Sequence, residues 1–62
     1  MNKLREIRLS RKLTQQEIAK ALNVKVATVS RWENGKFYPK VDKLIKLARF
    51  LECKLEDLVI YK

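Results

Sequence analysis

The chain has 62 residues, of which 15 are Lys or Arg and 7 are Asp or Glu, so its formal net charge is +8. This length predicts one small domain spanning residues 1–62, near the lower size limit for independent folding and without a separate effector domain. A single cysteine, Cys53, excludes an internal disulfide, and no apolar run approaches the roughly 20 residues of a membrane span. With no signal-peptide pattern at the N-terminus, we expect a cytoplasmic protein.

The positive charge is concentrated in the first two thirds of the chain. Residues 1–40 hold ten basic and three acidic side chains, whereas residues 41–62 hold five and four. Such a surface predicts an anionic partner, with nucleic acid ahead of a membrane surface. The alternative is a basic surface that serves only solubility.

The first predicted helix runs from about Lys3 to Arg11. Leu4 and Ile7 share one face at helical spacing, and Leu9 falls off that face. We therefore expect Leu9 to be partly exposed or to cover an edge of the core.

Two further helices, from about Gln15 to Leu22 and from Val26 to Glu33, are predicted with a turn of a few residues between them. Thr14 and Glu17 form a capping-box pattern at the start of the first of these. Neither helix can bury its apolar face alone, so the second must lie across the first. This arrangement is typical of a helix-turn-helix, whose second helix enters the DNA major groove. The shared apolar set is Ile18, Ala19, Leu22, Val24, Val29 and Trp32.

The helix over 26–33 has two unlike faces. At 100° per residue from Val26, Val29 and Trp32 point to about 300° and 240°, toward the core. The opposite arc carries short side chains and one arginine, which suits a helix entering a groove. Arg31 could bond O6 and N7 of guanine, a contact worth about 1–3 kcal/mol of discrimination. The alternative is an ordinary surface arginine. The arc comprises Val26, Ala27, Ser30, Arg31 and Asn34.

The remaining chain predicts two helices that brace this pair. The first spans about Val41 to Leu51, and Leu55, Leu58 and Val59 mark a short last helix that serves the core. Cys53 is interpreted as core filler. The tail residues Ile60 and Tyr61 have no core position, so they are candidates for a homodimer contact near a two-fold axis. A tail without fixed structure is the alternative.

The sequence resembles the Cro-type, lambda-repressor-like (XRE) helix-turn-helix family of phage and bacterial transcription regulators. The resemblance covers about Leu4 to Val59. It is carried by Leu13-Thr14-Gln15, by Val29-Ser30-Arg31-Trp32-Glu33-Asn34-Gly35 and by the late leucine run. It implies an all-α, compact five-helix domain that binds double-stranded operator DNA as a homodimer, most simply as a repressor.

The resemblance also implies roles for individual residues. Arg8 and Glu33 are expected to form a structural ion pair between the first and third helices. The loop over 36–40 is expected to follow the phosphate backbone, with Phe37 and Tyr38 packing partially. Expected base contacts are Val26, Ala27, Ser30 and Arg31, and expected backbone contacts are Gln15, Lys25, Thr28, Asn34, Lys36 and Lys40.

This chain departs from the family pattern at several helix ends. Lys12 and Asn23 stand where relatives prefer glycine in a left-handed turn. Lys25, Lys40 and Lys54 stand where relatives carry a serine or similar N-cap, and each lysine should cost about 1 kcal/mol. Lys25 and Lys40 would face DNA, where an ammonium can meet phosphate. Lys54 has no such compensation.

Two other function classes stay open at this point. A protein-interaction module, such as an antitoxin or adaptor, would bind a specific protein partner and little DNA. A small RNA-binding protein would stack bases on Phe37, Tyr38 or Trp32. We expect no enzymatic activity, no cofactor and no metal site, because the chain has no histidine, one cysteine and no phosphate-binding glycine loop.

Overall fold

A computed structural model describes residues 3–58, and over that range the chain forms helices without any strand. The predicted all-α, five-helix architecture is confirmed. The three central helices have the predicted bounds, whereas the first is one residue shorter at each end, with Lys3 as N-cap and Arg11 as C-cap. The elements are α1 (Leu4–Ser10), α2 (Gln15–Leu22), α3 (Val26–Glu33), α4 (Val41–Leu51) and α5 (Leu55–Leu58).

One apolar core lies between all five helices. α2 packs against α3 and α4, and α1 packs against α3 and α5. Ile18 and Val29 are fully buried, and Trp32 is only 4% exposed, so the indole is a core residue rather than a platform for bases. The core consists of Leu4, Ile18, Ala19, Leu22, Val29, Trp32, Leu47, Ala48, Leu51 and Leu58.

The four longer helices end in the same hydrogen-bonded turn, the Schellman motif. After α3, Lys36 N–H donates to the Arg31 carbonyl (3.1 Å) and Gly35 N–H donates to the Trp32 carbonyl (3.2 Å). The same two bonds close α1, α2 and α4. The motif places one residue in the left-handed region each time, and φ is 59° at Lys12, 58° at Asn23, 76° at Gly35 and 56° at Glu52. Lys12 and Asn23 were predicted there, but Glu52 was not.

Two cations stabilise helix C-termini from other parts of the chain. Arg11 donates from Nε to the Leu51 carbonyl (2.8 Å) and from Nη2 to the Glu52 carbonyl (3.3 Å) at the end of α4. Lys43 Nζ donates to the Leu22 carbonyl at the end of α2 (3.1 Å). These carbonyls have no partner within their own helices, and a cation there also opposes the negative end of the helix dipole.

The predicted short helix α5 is confirmed, but its two leucines are not equally buried. Leu58 is in the core, whereas Leu55 is 40% exposed. Lys54 N–H donates to the Asp57 carboxylate (3.2 Å). This bond is one half of a capping box; the other half is lacking because a lysine side chain cannot accept a hydrogen bond.

The other peripheral predictions divide between confirmed and untested. Leu9 is 53% exposed, as expected. Cys53 is half-buried against the core, where burial and then the Asp57 charge raise the pKa of its thiol. Val59, Ile60 and Tyr61 lie outside the described residues. Within residues 3–58, no helix has the length and apolar character needed to cross a membrane.

Candidate nucleic-acid interface

The exposed face of α3 is the arc that the sequence predicted. Val29 and Trp32 are buried at 0% and 4%, whereas Val26 on the opposite side is 38% exposed. Ala27 and Arg31 are also exposed, and Ser30 is half-buried. The four expected base contacts therefore share one face of short side chains and one arginine. A narrow face of this kind lets a helix approach base edges closely in the major groove.

A hydrogen-bonded cluster fixes the C-terminal end of α3. Arg8 Nε donates to Glu33 Oε2 at 2.6 Å, and Arg8 Nη2 donates to Glu33 Oε1 at 3.3 Å. The side chains are 11% and 4% exposed, so the predicted ion pair is present and largely buried. Arg8 Nη1 also donates to the Leu13 carbonyl (2.8 Å), which ties the end of α1 into the same cluster. A pair this buried fixes geometry more than it adds stability.

Gln15 belongs to the same cluster. Its Nε2 donates to Glu33 Oε1 at 3.0 Å, and the side chain is half-buried. Glu33 thus accepts from α1 and from the first residue of α2 while it sits in the last turn of α3. Gln15 was predicted to contact the DNA backbone; the structure holds it beside α3, at the start of α2, where backbone amides also point outward.

The first turns of α2 and α3 differ. Thr14 and Glu17 form the predicted capping box, with Glu17 N–H on Thr14 Oγ1 (3.1 Å) and Thr14 N–H on Glu17 Oε1 (2.9 Å). Lys25 is the N-cap of α3, and its side chain makes no capping bond. The first turn of α3 also carries no acidic side chain. Thr28 N–H donates to the Lys25 carbonyl (3.0 Å), and the positive dipole end with the amides of Val26 and Ala27 faces no acceptor side chain, so an external anion could bind there.

The loop over 36–40 forms a groove with the exposed flank of α3. The groove has a volume of about 410 Å³, and Thr28, Arg31 and Lys40 line it together. Phe37 and Tyr38 are each 57% exposed, so the expected partial packing of their rings is small. The Arg31 guanidinium carbon lies over the Phe37 ring, 5.6 Å from its centroid.

The structure places the remaining predicted residues around this face. Asn34 is the C-cap of α3, and Lys36 follows it in the Schellman turn, with both side chains exposed. Lys25 and Lys40 are exposed N-caps. Sequence reasoning missed Lys43, which lines the groove while bonding the end of α2, and it missed the contact between Arg31 and Phe37. Helical spacing in the sequence could not predict either contact, since each one joins residues that are not neighbours on the same helix.

Comparisons with known proteins agree with this architecture. A family profile described as helix-turn-helix matches residues 4–58. An uncharacterized HTH-type transcriptional regulator of Methanocaldococcus jannaschii is 39% identical over 61 residues, which are 98% of this chain and 92% of that relative. The HTH-type transcriptional activator BcrR of Enterococcus faecalis is 33% identical over 92% of this chain and 28% of its own length. The crystal structure of a transcriptional regulator from Listeria innocua has a TM-score of 0.80 at 29% identity, covering all of this chain and 62% of that one.

Proposed function

Because this chain belongs to the XRE-type helix-turn-helix family of DNA-binding transcription regulators, we propose that it represses transcription by inserting α3 into the major groove of a specific operator. The observation that carries the proposal is the exposed face of α3. It holds small side chains and one long donor, and the Glu33 cluster fixes it against α1 and α2. A domain that occupies a promoter can repress by exclusion alone. Since the proposed partner is chromosomal or phage DNA, the compartment we propose is the cytoplasm.

The proposed contacts fall into two classes. Val26, Ala27, Ser30 and Arg31 face the base edges: the methyl groups meet thymine C5 methyls, and Arg31 bonds guanine O6 and N7. The second class positions the domain on phosphates without reading sequence. Its members are Gln15, Lys25, Thr28, Asn34, Lys36 and Lys40.

We propose that two copies bind together on a pseudo-palindromic site. One α3 spans few base pairs, so a single domain offers limited affinity and specificity. Two-fold related copies would place their recognition helices in successive major grooves, about 34–36 Å apart. Ile60 and Tyr61 are the residues that we propose for the contact between copies.

Selection of bound duplexes from a random pool, followed by affinity measurements at several salt concentrations, tests the operator assignment. We expect an enriched inverted repeat. Arg31→Ala should remove discrimination at one base pair of each half-site, worth about 1–3 kcal/mol. Lys36→Ala should weaken all duplexes alike and reduce the slope of log K against log salt by about one.

Matched controls come from a groove that contains no residue of α3. Arg49 and Lys54 are exposed and line a different groove, so Arg49→Ala and Lys54→Ala remove the same charge away from α3. Both controls should keep the discrimination and the salt slope of the parent chain. Absence of an enriched motif, with only weak salt-sensitive binding, would refute a specific operator.

Repression is separated from activation by transcription in vitro from a template whose promoter overlaps the selected site. Added protein should lower the transcript, and Arg31→Ala should relieve that effect. A rise in transcript would reverse the proposed direction while leaving the DNA contacts intact, as expected for a chain acting like the relative named an activator.

A further inference from the structure

Arg31 is the long donor on the proposed base-contact face, and its side chain lies against an aromatic ring. Its guanidinium carbon is over the Phe37 ring, 5.6 Å from the centroid. Within residues 3–58, the guanidinium N–H groups of Arg31 form no hydrogen bond. Phe37 is 57% exposed, so this ring contributes little to the core.

The backbone accounts for the meeting of these two residues. Lys36 N–H donates to the Arg31 carbonyl, and Gly35, at φ 76°, reverses the chain after α3. The residue that follows this bond is Phe37. The Schellman turn therefore returns the chain to the level of Arg31 on the helix, and it places the ring under the arginine side chain.

We infer that Phe37 is a positioning residue that holds the Arg31 guanidinium in the orientation used for base discrimination. The inference rests on the proposed function. An arginine side chain is flexible when exposed, and freezing it on binding costs conformational entropy. Contact with an aromatic face restricts it before DNA arrives. A cation–π contact uses no N–H donor, so the five guanidinium N–H groups stay available to bond a base.

The test compares Phe37→Leu with the parent chain on two duplexes that differ at the base pair assigned to Arg31. The energy of an exposed cation–π contact corresponds to about a two- to fivefold change in an equilibrium constant. The ratio of affinities for the two duplexes should therefore fall by about that factor. The salt slope should stay the same, because no charge is removed. Phe37→Tyr should retain discrimination, since it keeps the ring.

Two controls distinguish positioning from a general effect of the loop. Tyr38 is the adjacent residue with the same 57% exposure, and Tyr38→Leu should leave discrimination unchanged. In an Arg31→Ala background, Phe37→Leu should have no further effect on discrimination. An equal loss in that background, or an equal loss in Tyr38→Leu, would overturn the inference.

Failure of the inference and failure of the proposed function give different results. If Arg31→Ala loses discrimination and Phe37→Leu does not, the positioning role is refuted and the base contact stands. If Arg31→Ala itself has no effect, the base contact is refuted and the positioning role falls with it. The contact between Arg31 and Phe37 can also be measured without DNA, because the Arg31 side-chain protons of the free protein should show a ring-current shift. That shift should disappear in Phe37→Leu, and its absence from the parent chain would overturn the inference.

Discussion

The two helices of the helix-turn-helix begin in opposite ways. α2 starts with a complete capping box, in which Thr14 and Glu17 satisfy each other's backbone amides. α3 starts at Lys25, whose side chain cannot accept a hydrogen bond and whose charge opposes the helix dipole. The two helices have the same length, eight residues, and pack on the same core.

This difference suggests that the start of α2 serves the stability of the fold, whereas the start of α3 serves binding. α2 is stabilised by its own sequence and can act as a fixed support. α3 has no side-chain cap at its first turn, and its orientation depends on tertiary contacts: the burial of Val29 and Trp32, and the hydrogen bonds to Glu33 at its C-terminal end. A phosphate near Lys25 would provide the anion that the chain itself does not supply there. The predictions below disturb first the contacts that hold α3, then the two helix starts, then the helix ends.

The largest expected effect is on the cluster that holds α3. Arg8→Ala should destabilise the fold by about 3–5 kcal/mol, because it leaves the buried Glu33 carboxylate without its cation. This loss is comparable to the whole free energy of unfolding expected for a domain this small. The variant should therefore be largely unfolded even without denaturant, as measured by circular dichroism during a urea titration.

Arg5→Ala is the matched control for Arg8→Ala. Arg5 lies on the same helix and is exposed, so its removal should change the free energy of unfolding by no more than about 0.5 kcal/mol. A loss below about 1 kcal/mol in Arg8→Ala would show that apolar packing alone holds α3 in place.

The second prediction concerns the N-caps of α2 and α3: one variant removes the cap of α2, and another adds a cap to α3. Thr14→Ala should lower the free energy of unfolding by about 1 kcal/mol, and Lys25→Ser should raise it by about the same amount. In a domain of this size, each change corresponds to a shift in Tm of about 4–8 °C. The same Lys25→Ser substitution should weaken operator binding and reduce the salt slope by about one, because a phosphate contact is lost.

Lys25→Ala separates the cap from the charge. It removes the ammonium without adding an acceptor, so its effect on DNA binding should equal that of Lys25→Ser while its gain in stability should be smaller. If Lys25→Ser stabilises the fold and leaves the salt slope unchanged, Lys25 has no role in binding, and its position at the N-cap is only a local defect.

The sequence predicted the bounds of the helices well, because apolar spacing marks them. It did not predict the contacts that long side chains make with distant helix ends. α2, α3 and α4 have the predicted bounds because buried residues recur at helical spacing in all three, although only α2 begins with a capping box. Arg11 and Lys43 were not predicted at the ends of α4 and α2, since a contact across 40 or 21 positions leaves no periodic trace. Leu55 lies in the predicted last helix, but its 40% exposure was not predicted, since the spacing within one helical turn does not show how deeply each side chain is buried.

The candidate site was predicted in part for the same reason. The exposed arc of α3 follows from helical geometry, and burial of Val29 and Trp32 agrees with it. The contact of Arg31 with Phe37 depends on a turn that reverses the chain, so linear spacing could not predict it. The resemblance supplied the Arg8–Glu33 pair, but not the inclusion of Gln15 in that cluster.

The smallest expected effects are at the helix C-termini, where the four Schellman turns share one geometry and differ in residue. A non-glycine side chain in the left-handed region costs about 1–2 kcal/mol. Glycine avoids that strain but makes the unfolded chain more flexible, at a cost of about 0.5–1 kcal/mol. Lys12→Gly and Glu52→Gly should therefore each stabilise the fold by about 0.5–1 kcal/mol.

Asn23 and Gly35 complete this series. Asn23→Gly should gain less than Lys12→Gly, because asparagine tolerates positive φ better than lysine does. Gly35→Ala should lose about 0.5–1 kcal/mol, the same balance of backbone strain and unfolded-chain flexibility with the sign reversed, since an added Cβ would meet no atom within 4 Å. Thermal unfolding of the four variants should therefore order them by residue type, since φ lies between 56° and 76° at all four positions. If Glu52→Gly destabilises instead, the bond from Arg11 to the Glu52 carbonyl must depend on the side chain that was removed, and the turns would not be equivalent.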